Sequence, residues 1–147
     1  MSVLFTDLQT AVAARLSADA AFAGPPLLPV LVENIGDLDD QLMKAIDDIV
    51  ILTLVLTPKA EIGAEFRRAT VALIIEISEN VAVNRDPNSG TQRPAAEVAA
   101  AAWRSLDRWT PADLWTPLVF QHLRVIKPAP RLTWELVFKT STFTSSN

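Results

Sequence analysis

The residues best suited to chemistry in this sequence are acidic. Five aspartates crowd one short stretch: Asp37, Asp39, Asp40, Asp47 and Asp48. Carboxylate oxygens are the ligands that hard cations prefer, but an EF-hand loop also needs a glycine at its sixth position and a glutamate at its twelfth. A loop beginning at Asp37 has leucine and aspartate there. The favoured interpretation is therefore a solvated helix face that could also serve as a subunit contact.

The segment NRDPNSGTQRPAAEVAAAAW, residues 84–103, has the outline of a loop that cradles a phosphate ahead of a helix. A phosphate loop needs several glycines and a lysine followed by serine or threonine at the helix start. Here Gly90 is the only glycine, and Pro94 lacks the backbone N–H that an anion would need. We predict that the segment turns the chain into a helix and presents Arg85 and Arg93 to a partner.

Carboxylate catalysis needs two acidic groups that converge on one substrate with different pKa values. Glu76 and Glu79 lie on one predicted strand and Glu135 on another, and no recognisable motif brings them together. The single histidine, His122, shares an alternating face with apolar neighbours, which favours a packed, hydrogen-bonded histidine. We therefore predict a non-enzyme with no catalytic residue, metal or cofactor.

The composition narrows the class of partner. Thirteen basic and seventeen acidic residues give a formal charge of -4, which does not favour a polyanionic partner. The four tryptophans could stack nucleic-acid bases, but no basic stripe in the sequence accompanies them, so packing is the favoured interpretation. The absence of cysteine excludes disulfides, thiolate nucleophiles and cysteine zinc sites. The longest apolar stretch, residues 49–56, is far shorter than the roughly 20 residues that cross a bilayer. We expect one soluble, cytoplasmic domain over residues 1–147 without a membrane partner.

Hydrophobic periodicity predicts the elements that position these residues. Apolar residues recur every four positions in the first segment, whereas β-branched residues alternate in later ones. A second stripe of this spacing consists of Val98, Ala102 and Leu106, and Ala99 and Trp103 are expected to extend it. The first predicted element is a helix with Ser2 as its N-cap that ends before Gly24. The others are edge strand 29–33, helix 37–48, central strand 49–57, strand 66–79, helix 95–108 and strands 118–127 and 132–142. Pro58 is expected to end the central strand, with a connection at 59–65. The order α-β-α-β-β-α-β-β predicts an α+β fold with helices on a largely antiparallel or mixed sheet.

Alternation also predicts which residues form the core. One face of the strand over 66–79 is apolar: Ala69, Val71, Leu73, Ile75 and Ile77. The last strand presents Trp134 on a similar face, so we expect Trp134 in the core.

Over nearly its whole length the chain resembles the tail terminator, or tail-completion, proteins of long-tailed bacteriophages and related contractile particles. The similar segments are LFTDLQTAVAARLSAD, IVILTLVLTPKAEIGAEFRRATVALIIEIS, ENVAVNRDPNSGTQRPAAEVAAAAWRSLDRWTP and LTWELVFKTSTF. The most suggestive feature is ENVAVNR, which runs through a variable loop into a helix that begins with proline and ends in LDRWTP.

The resemblance implies a virion protein that forms a ring, typically a hexamer, on the last ring of the tail tube. Such a ring stops tube polymerisation and presents the surface that joins the head. The implied partners are other copies of the chain, the tail tube, the sheath and the head-tail connector or neck protein, with assembly in the bacterial host cytoplasm. Alternatives are a head-completion or neck protein, a small carboxylate enzyme or nuclease, and a generic adaptor domain.

A ring needs a heterologous interface, in which one patch meets a different patch on the neighbour. We expect the five aspartates named above to supply one side of that interface. The basic residues expected on the other side are Arg67, Arg68, Arg85 and Arg93.

Overall fold

The computed structural model of the protein describes residues 2–24, 27–32, 51–63, 68–84, 94–126 and 131–143. In chain order the elements are α1 (Ser2–Ala18), α2 (Ala20–Ala23), β1 (Val30–Val32), β2 (Ile51–Gly63), β3 (Arg68–Asn80), α3 (Val81–Asn84), α4 (Ala95–Leu106), β4 (Val119–Ile126) and β5 (Arg131–Phe143). This order confirms the α+β class. The helix predicted over 37–48 lies outside the described residues. No helix in the described ranges is long and apolar enough to cross a membrane.

The described strands form one five-stranded sheet in the order β1-β2-β3-β5-β4. β1 runs parallel to β2, and every other neighbouring pair is antiparallel. The largely antiparallel sheet was predicted, and so was the edge position of the strand near residue 30. The other edge of the described sheet is β4, which pairs with β5 on one side.

The core lies between one face of this sheet and the helices α1 and α4. All five residues predicted for the buried face of β3 have no solvent exposure. The helices contribute stripes at four-residue spacing: Leu8, Val12 and Leu16 from α1, and Val98, Ala102 and Leu106 from α4. Each large aliphatic side chain buried in this way stabilises the fold by roughly 1.5–3 kcal/mol.

The expected end of β2 at Pro58 was wrong, because β2 continues past Pro58 to Gly63, which pairs with Arg68 of β3. The pairing of β2 with β3 shifts in register around Pro58. A bulge at this position accommodates a residue that has no N–H to donate to the ladder. The fully buried Gln9 of α1 donates through Nε2 to Thr57 Oγ1 at 2.7 Å, which ties the bulge to the helix.

Trp134 packs against the core but is only partly buried. The next two residues on the same face of β5, Leu136 and Phe138, are fully buried. Trp134 Nε1 is inaccessible to solvent and has no hydrogen-bond partner among the described residues. The face of β5 was therefore predicted correctly, and Trp134 lies at the margin of the core.

Candidate functional site

One carboxylate holds both ends of the loop that was predicted to make contacts. Glu79, fully buried near the end of β3, accepts a hydrogen bond from Asn84 Nδ2 at 2.9 Å and another from the Ala95 backbone N–H at 2.8 Å. The Ala95 N–H lies in the first turn of α4, where N–H groups lack intrahelical partners and the helix dipole is positive. Pro94 offers no side-chain cap at this terminus, so Glu79 caps it from the sheet.

This arrangement gives the ENVAVNR motif a structural role. Asn84 and Ala95 flank residues 85–93, and both are bonded to the same carboxylate. The base of the loop is thus fixed whatever residues 85–93 are. Sequence reasoning considered Glu79 only as a catalytic carboxylate and missed this role. The available signal was a glutamate at a strand end, ahead of a helix that begins with proline and lacks its own cap.

The LDRWTP motif turns the chain from α4 into β4. Asp107 Oδ1 accepts the backbone N–H of Phe120 at 3.2 Å. Arg108 has a φ of 65°, in the left-handed region that non-glycine residues seldom occupy, and its N–H donates to Leu118 O at 2.7 Å. The motif therefore fixes the start of β4 beside the end of α4.

Of the nine predicted contact residues, Arg68 is the one that the structure describes. It is exposed at the start of β3, and its Nη2 donates to Ser141 Oγ at 3.2 Å. Glu79, at the base of the loop, lies eleven residues further along the same strand, about 36 Å away at the usual rise of about 3.3 Å per residue. Arg68 and the loop base are thus at opposite ends of the sheet. The other eight residues lie outside the described ranges: Asp37, Asp39, Asp40, Asp47, Asp48, Arg67, Arg85 and Arg93.

Two glutamates meet on the sheet face that points away from the helices. Glu76 of β3 is directly opposite Glu135 of β5, and Arg124 Nε of β4 donates to Glu135 Oε1 at 2.7 Å. Burial, together with the charge of Glu135, raises the pKa of Glu76, and Arg124 partly opposes this rise. Arg124 is thus bonded to Glu135, and its charge also acts on Glu76. Sequence alone could not pair them because it does not give the strand register.

A depression of about 260 Å³ on this face is lined by residues such as His122 and Lys139 and by neither Glu76 nor Glu135. Within the described ranges, no group of three or more His, Asp or Glu side chains could hold a metal ion. The geometry of Glu76, Glu135 and Arg124 is that of a cross-strand ion pair with one additional carboxyl group.

The prediction of a packed His122 was wrong, because His122 is exposed. The register of β4 against β5 shifts between Phe120 and His122, and such an irregularity changes which residues share a face. The alternation read from the sequence therefore stops at Phe120. Trp103 also differs from the expectation that it would extend the buried stripe of α4, since it is 44% exposed.

An apolar groove of about 340 Å³ lies between α4 and β4. Small side chains on the helix leave it open, and aromatic and aliphatic residues line it: Ala96, Ala99, Ala100, Trp103, Phe120 and Leu123. The Phe120 ring lies 5.7 Å from the Trp103 ring and 5.6 Å from that of the buried Phe138, so the groove is continuous with the core. An adjoining depression shares Trp103 and Phe120.

β4 continues this apolar surface along the edge of the described sheet. Val119, Leu123 and Val125 are 54%, 43% and 40% exposed. An edge strand also presents backbone N–H and C=O groups that have no partner within the sheet. Contiguous exposed apolar surface of this kind marks interaction sites on soluble proteins. We call the groove together with the outer side of β4 the β4 edge.

The described residues thus form a small α+β fold with exposed apolar residues along the β4 edge. The sequence matches no protein-family model and no curated protein. Among solved structures, it is similar to a chain in a structure described as the virion of a native gene transfer agent (GTA) particle. The TM-score is 0.64 at 19% sequence identity, and the match covers 97% of this chain and 98% of the other. At this identity the likeness establishes a shared fold.

Proposed function

We propose that the protein is a structural subunit of a phage-like particle. The observation that carries the proposal is the fold likeness to a chain from the virion of a gene transfer agent particle, which extends over almost all of both chains. The β4 edge supports it independently, because assembly proteins work through surfaces and this chain exposes apolar residues along an edge of the described sheet.

Within the particle, the protein acts as a tail terminator. It forms a ring, typically a hexamer, at the head-proximal end of the tail tube, stops tube polymerisation and offers the surface that joins the head. Its partners are other copies of the chain, the tail tube, the sheath and the connector or neck protein. It resides in the tail of the virion and assembles in the bacterial host cytoplasm. The resemblance carried by ENVAVNR and LDRWTP supports this role, and Glu79 and Arg108 give both motifs defined geometry.

Electrostatic pairing between copies is part of this proposal. The acidic residues at 37–48 form one side of the interface, and arginines including Arg68 form the other. Replacing both Asp39 and Asp40 by lysine is expected to abolish assembly and leave the monomer folded, as measured by native mass spectrometry and by circular dichroism. Unchanged assembly of the double variant would remove the acidic segment from the interface.

The loop over residues 84–93 is the proposed contact with a neighbour or with the tail tube. Deleting Asp86 to Gly90 should leave α4 capped, because Glu79 and its two partners are retained. The expected result is loss of tail-length control, scored by electron microscopy of assembled particles. Tails of normal length in the deletion variant would show that the loop is dispensable.

A further inference from the structure

The pairing of β4 with β5 shows which residues complement β4 in an extended neighbour. Residues 123–125 of β4 are Leu-Arg-Val, and residues 134–136 of β5 are Trp-Glu-Leu. The two triplets are antiparallel and form one charged row between two apolar rows: Arg124 with Glu135, Leu123 with Leu136, and Val125 with Trp134. In the charged row, the arginine Nε lies 2.7 Å from a carboxylate oxygen. The complement of Leu-Arg-Val on its inner side is thus an acidic residue between two apolar ones.

The direction of the backbone groups on β4 follows from that of β5. Ser141 of β5 accepts from Thr116 N–H at 2.8 Å and donates its own N–H to Thr116 Oγ1 at 2.9 Å, and β3 lies on the other side of β5. Since backbone groups of successive residues in an antiparallel strand face opposite neighbours, the odd-numbered residues of β5 face β4. Arg124 lies opposite one of them, so its backbone groups face β5, whereas those of Leu123 and Val125 point away from the sheet.

A hydrogen bond at the start of β4 agrees with this assignment. Phe120 lies opposite an even-numbered residue of β5, so its N–H should point outward, and it donates to Asp107 Oδ1 at 3.2 Å. The bulge that follows Phe120 leaves residues 122–126 as the regular part of β4. Within that part, Leu123 and Val125 combine outward backbone groups with side chains that are 43% and 40% exposed. Both features favour the addition of another strand.

Arg124 is the charge that such a strand would meet first. Its side chain is 64% exposed, whereas that of Glu135 is 7% exposed. The recorded ion pair uses Nε, so the guanidinium has further N–H donors for a second carboxylate. Glu76 lies behind Glu135 on β3, further from the edge. A carboxylate on the outer side of Arg124 would therefore place this arginine between two acidic residues.

From these features we infer that the β4 edge binds an extended segment of a different protein, in which an acidic residue stands between two apolar ones. The segment pairs antiparallel with β4, with its apolar side chains opposite Leu123 and Val125 beside the groove and its carboxylate opposite Arg124. In the described strands, large apolar residues flank a glutamate at 75–77 and at 134–136, and both triplets are paired on both sides. A folded second copy therefore does not offer them. The inference does not depend on ring formation.

Synthetic peptides added to the unmodified chain test the charge pattern. The VEV peptide, fluorescein-labelled Thr-Thr-Val-Glu-Val-Thr-Thr, has the inferred pattern, and the VKV peptide has lysine in place of its glutamate. Fluorescence anisotropy should show saturable binding of the VEV peptide. The VKV peptide should bind about tenfold more weakly, because like charges directly opposite each other destabilise a strand pair.

Two N-methylated forms of the VEV peptide distinguish strand pairing from simple filling of the groove. Methylation of both valine nitrogens removes the N–H groups that would face β4, and should abolish binding. Methylation of the glutamate nitrogen, whose N–H would point away from β4, is the matched control and should leave the affinity unchanged.

A variant of the protein locates the peptide on the β4 edge. Leu123→Lys places a charge among the apolar residues of the edge, at a side chain that is already partly exposed, and should abolish binding of the VEV peptide. Ala14→Lys, at an exposed position of α1, is the control for added charge and should bind as the wild type does. Circular dichroism checks that both variants are folded, and native mass spectrometry should give both the oligomeric state of the wild type.

Three results would overturn the inference. The first is that the wild type shows no saturable binding of the VEV peptide, and the second is that the VEV, VKV and valine-methylated peptides bind equally. The third is that Leu123→Lys abolishes self-association and the VEV peptide dissociates wild-type oligomers, because a second copy would then occupy the β4 edge. A wild type that binds the VEV peptide but never self-associates would overturn the proposed ring and leave this inference standing.

Discussion

β3 and β4 are both rich in apolar residues, yet they have opposite environments. Along β3, residues alternate between fully buried and half-buried from Ala69 onward. Along β4, six of the eight residues are exposed. β3 lies between β2 and β5 beneath the helices, whereas β4 lies at the edge and α4 leaves a groove beside it. The comparison shows that apolar content alone does not define the core, and that the apolar residues of β4 are available to a partner.

The largest expected effect tests the buried side of this comparison. Ile75→Ala, in the centre of β3, should lower the free energy of unfolding by about 4 kcal/mol, because it removes buried methyl and methylene groups and leaves a cavity. The matched variant in β4 is Leu123→Ala, which should cost about 1 kcal/mol or less because the side chain is partly solvated. Urea denaturation measures both. Equal losses would show that β4 belongs to the core.

Trp134→Ala tests the margin between the two regions. The loss should be about 3 kcal/mol, at the low end for a tryptophan truncation, because the ring is partly exposed and its Nε1 has no partner among the described residues to lose. Thermal and urea unfolding should agree on the value. A marginal effect would mean that the ring contributes little to the core face of β5.

Glu79→Ala tests whether the loop base belongs to the rigid part of the molecule. Two buried donors, Asn84 Nδ2 and Ala95 N–H, would lose their acceptor, so we expect a loss of about 2 kcal/mol. The exposed Glu97 in the first turn of α4 supplies the control, Glu97→Ala, with a much smaller loss. The variant Glu79→Gln/Asn84→Asp should recover much of the stability, since Gln Nε2 can donate to the new carboxylate. Failure of this exchange to recover stability would contradict the role of Glu79 as the shared acceptor for residues 84 and 95.

The smallest expected effect lies on the open face of the sheet. Glu76 has a pKa above 4.5 in the folded state, so its ionised form costs stability at neutral pH. Glu76→Gln should therefore raise the free energy of unfolding at pH 7, by less than about 1 kcal/mol because solvent screens a half-buried group. The gain should disappear as the pH falls through the raised pKa to below 4.5, where wild-type Glu76 is protonated in both states. A gain that does not depend on pH would have another cause.

Local patterns in the sequence were sufficient for the parts of the fold that local physics determines. The strict alternation of β3 identified its five buried apolar residues, and four-residue spacing identified the stripes of α1 and α4. The predicted strand end at Pro58 was wrong because a bulge accommodates the residue without an N–H, and that bulge depends on the pairing of β2 with β3. The predicted packing of His122 was wrong for a similar reason, because the sequence does not reveal the register shift within β4.

The candidate site was harder to predict because it arises from contacts distant in sequence. Glu76, Glu135 and Arg124 meet through strand order, and the groove forms where α4 leaves space beside β4. The exposure of Trp103 likewise depends on this groove, although its spacing from Ala99 is that of a buried stripe. Arg68 is the one residue of the proposed charge pairing between subunits that lies within the described residues.

Native mass spectrometry of the wild-type chain over a concentration series tests the central claim most directly. A ring-forming structural subunit should convert from monomer to one closed oligomer, expected to be a hexamer, as concentration rises, without a ladder of larger species. The absence of cysteine excludes disulfide artefacts from this measurement. A chain that remains monomeric at every concentration, and that also fails to bind the ends of assembled tail tubes, would contradict the account.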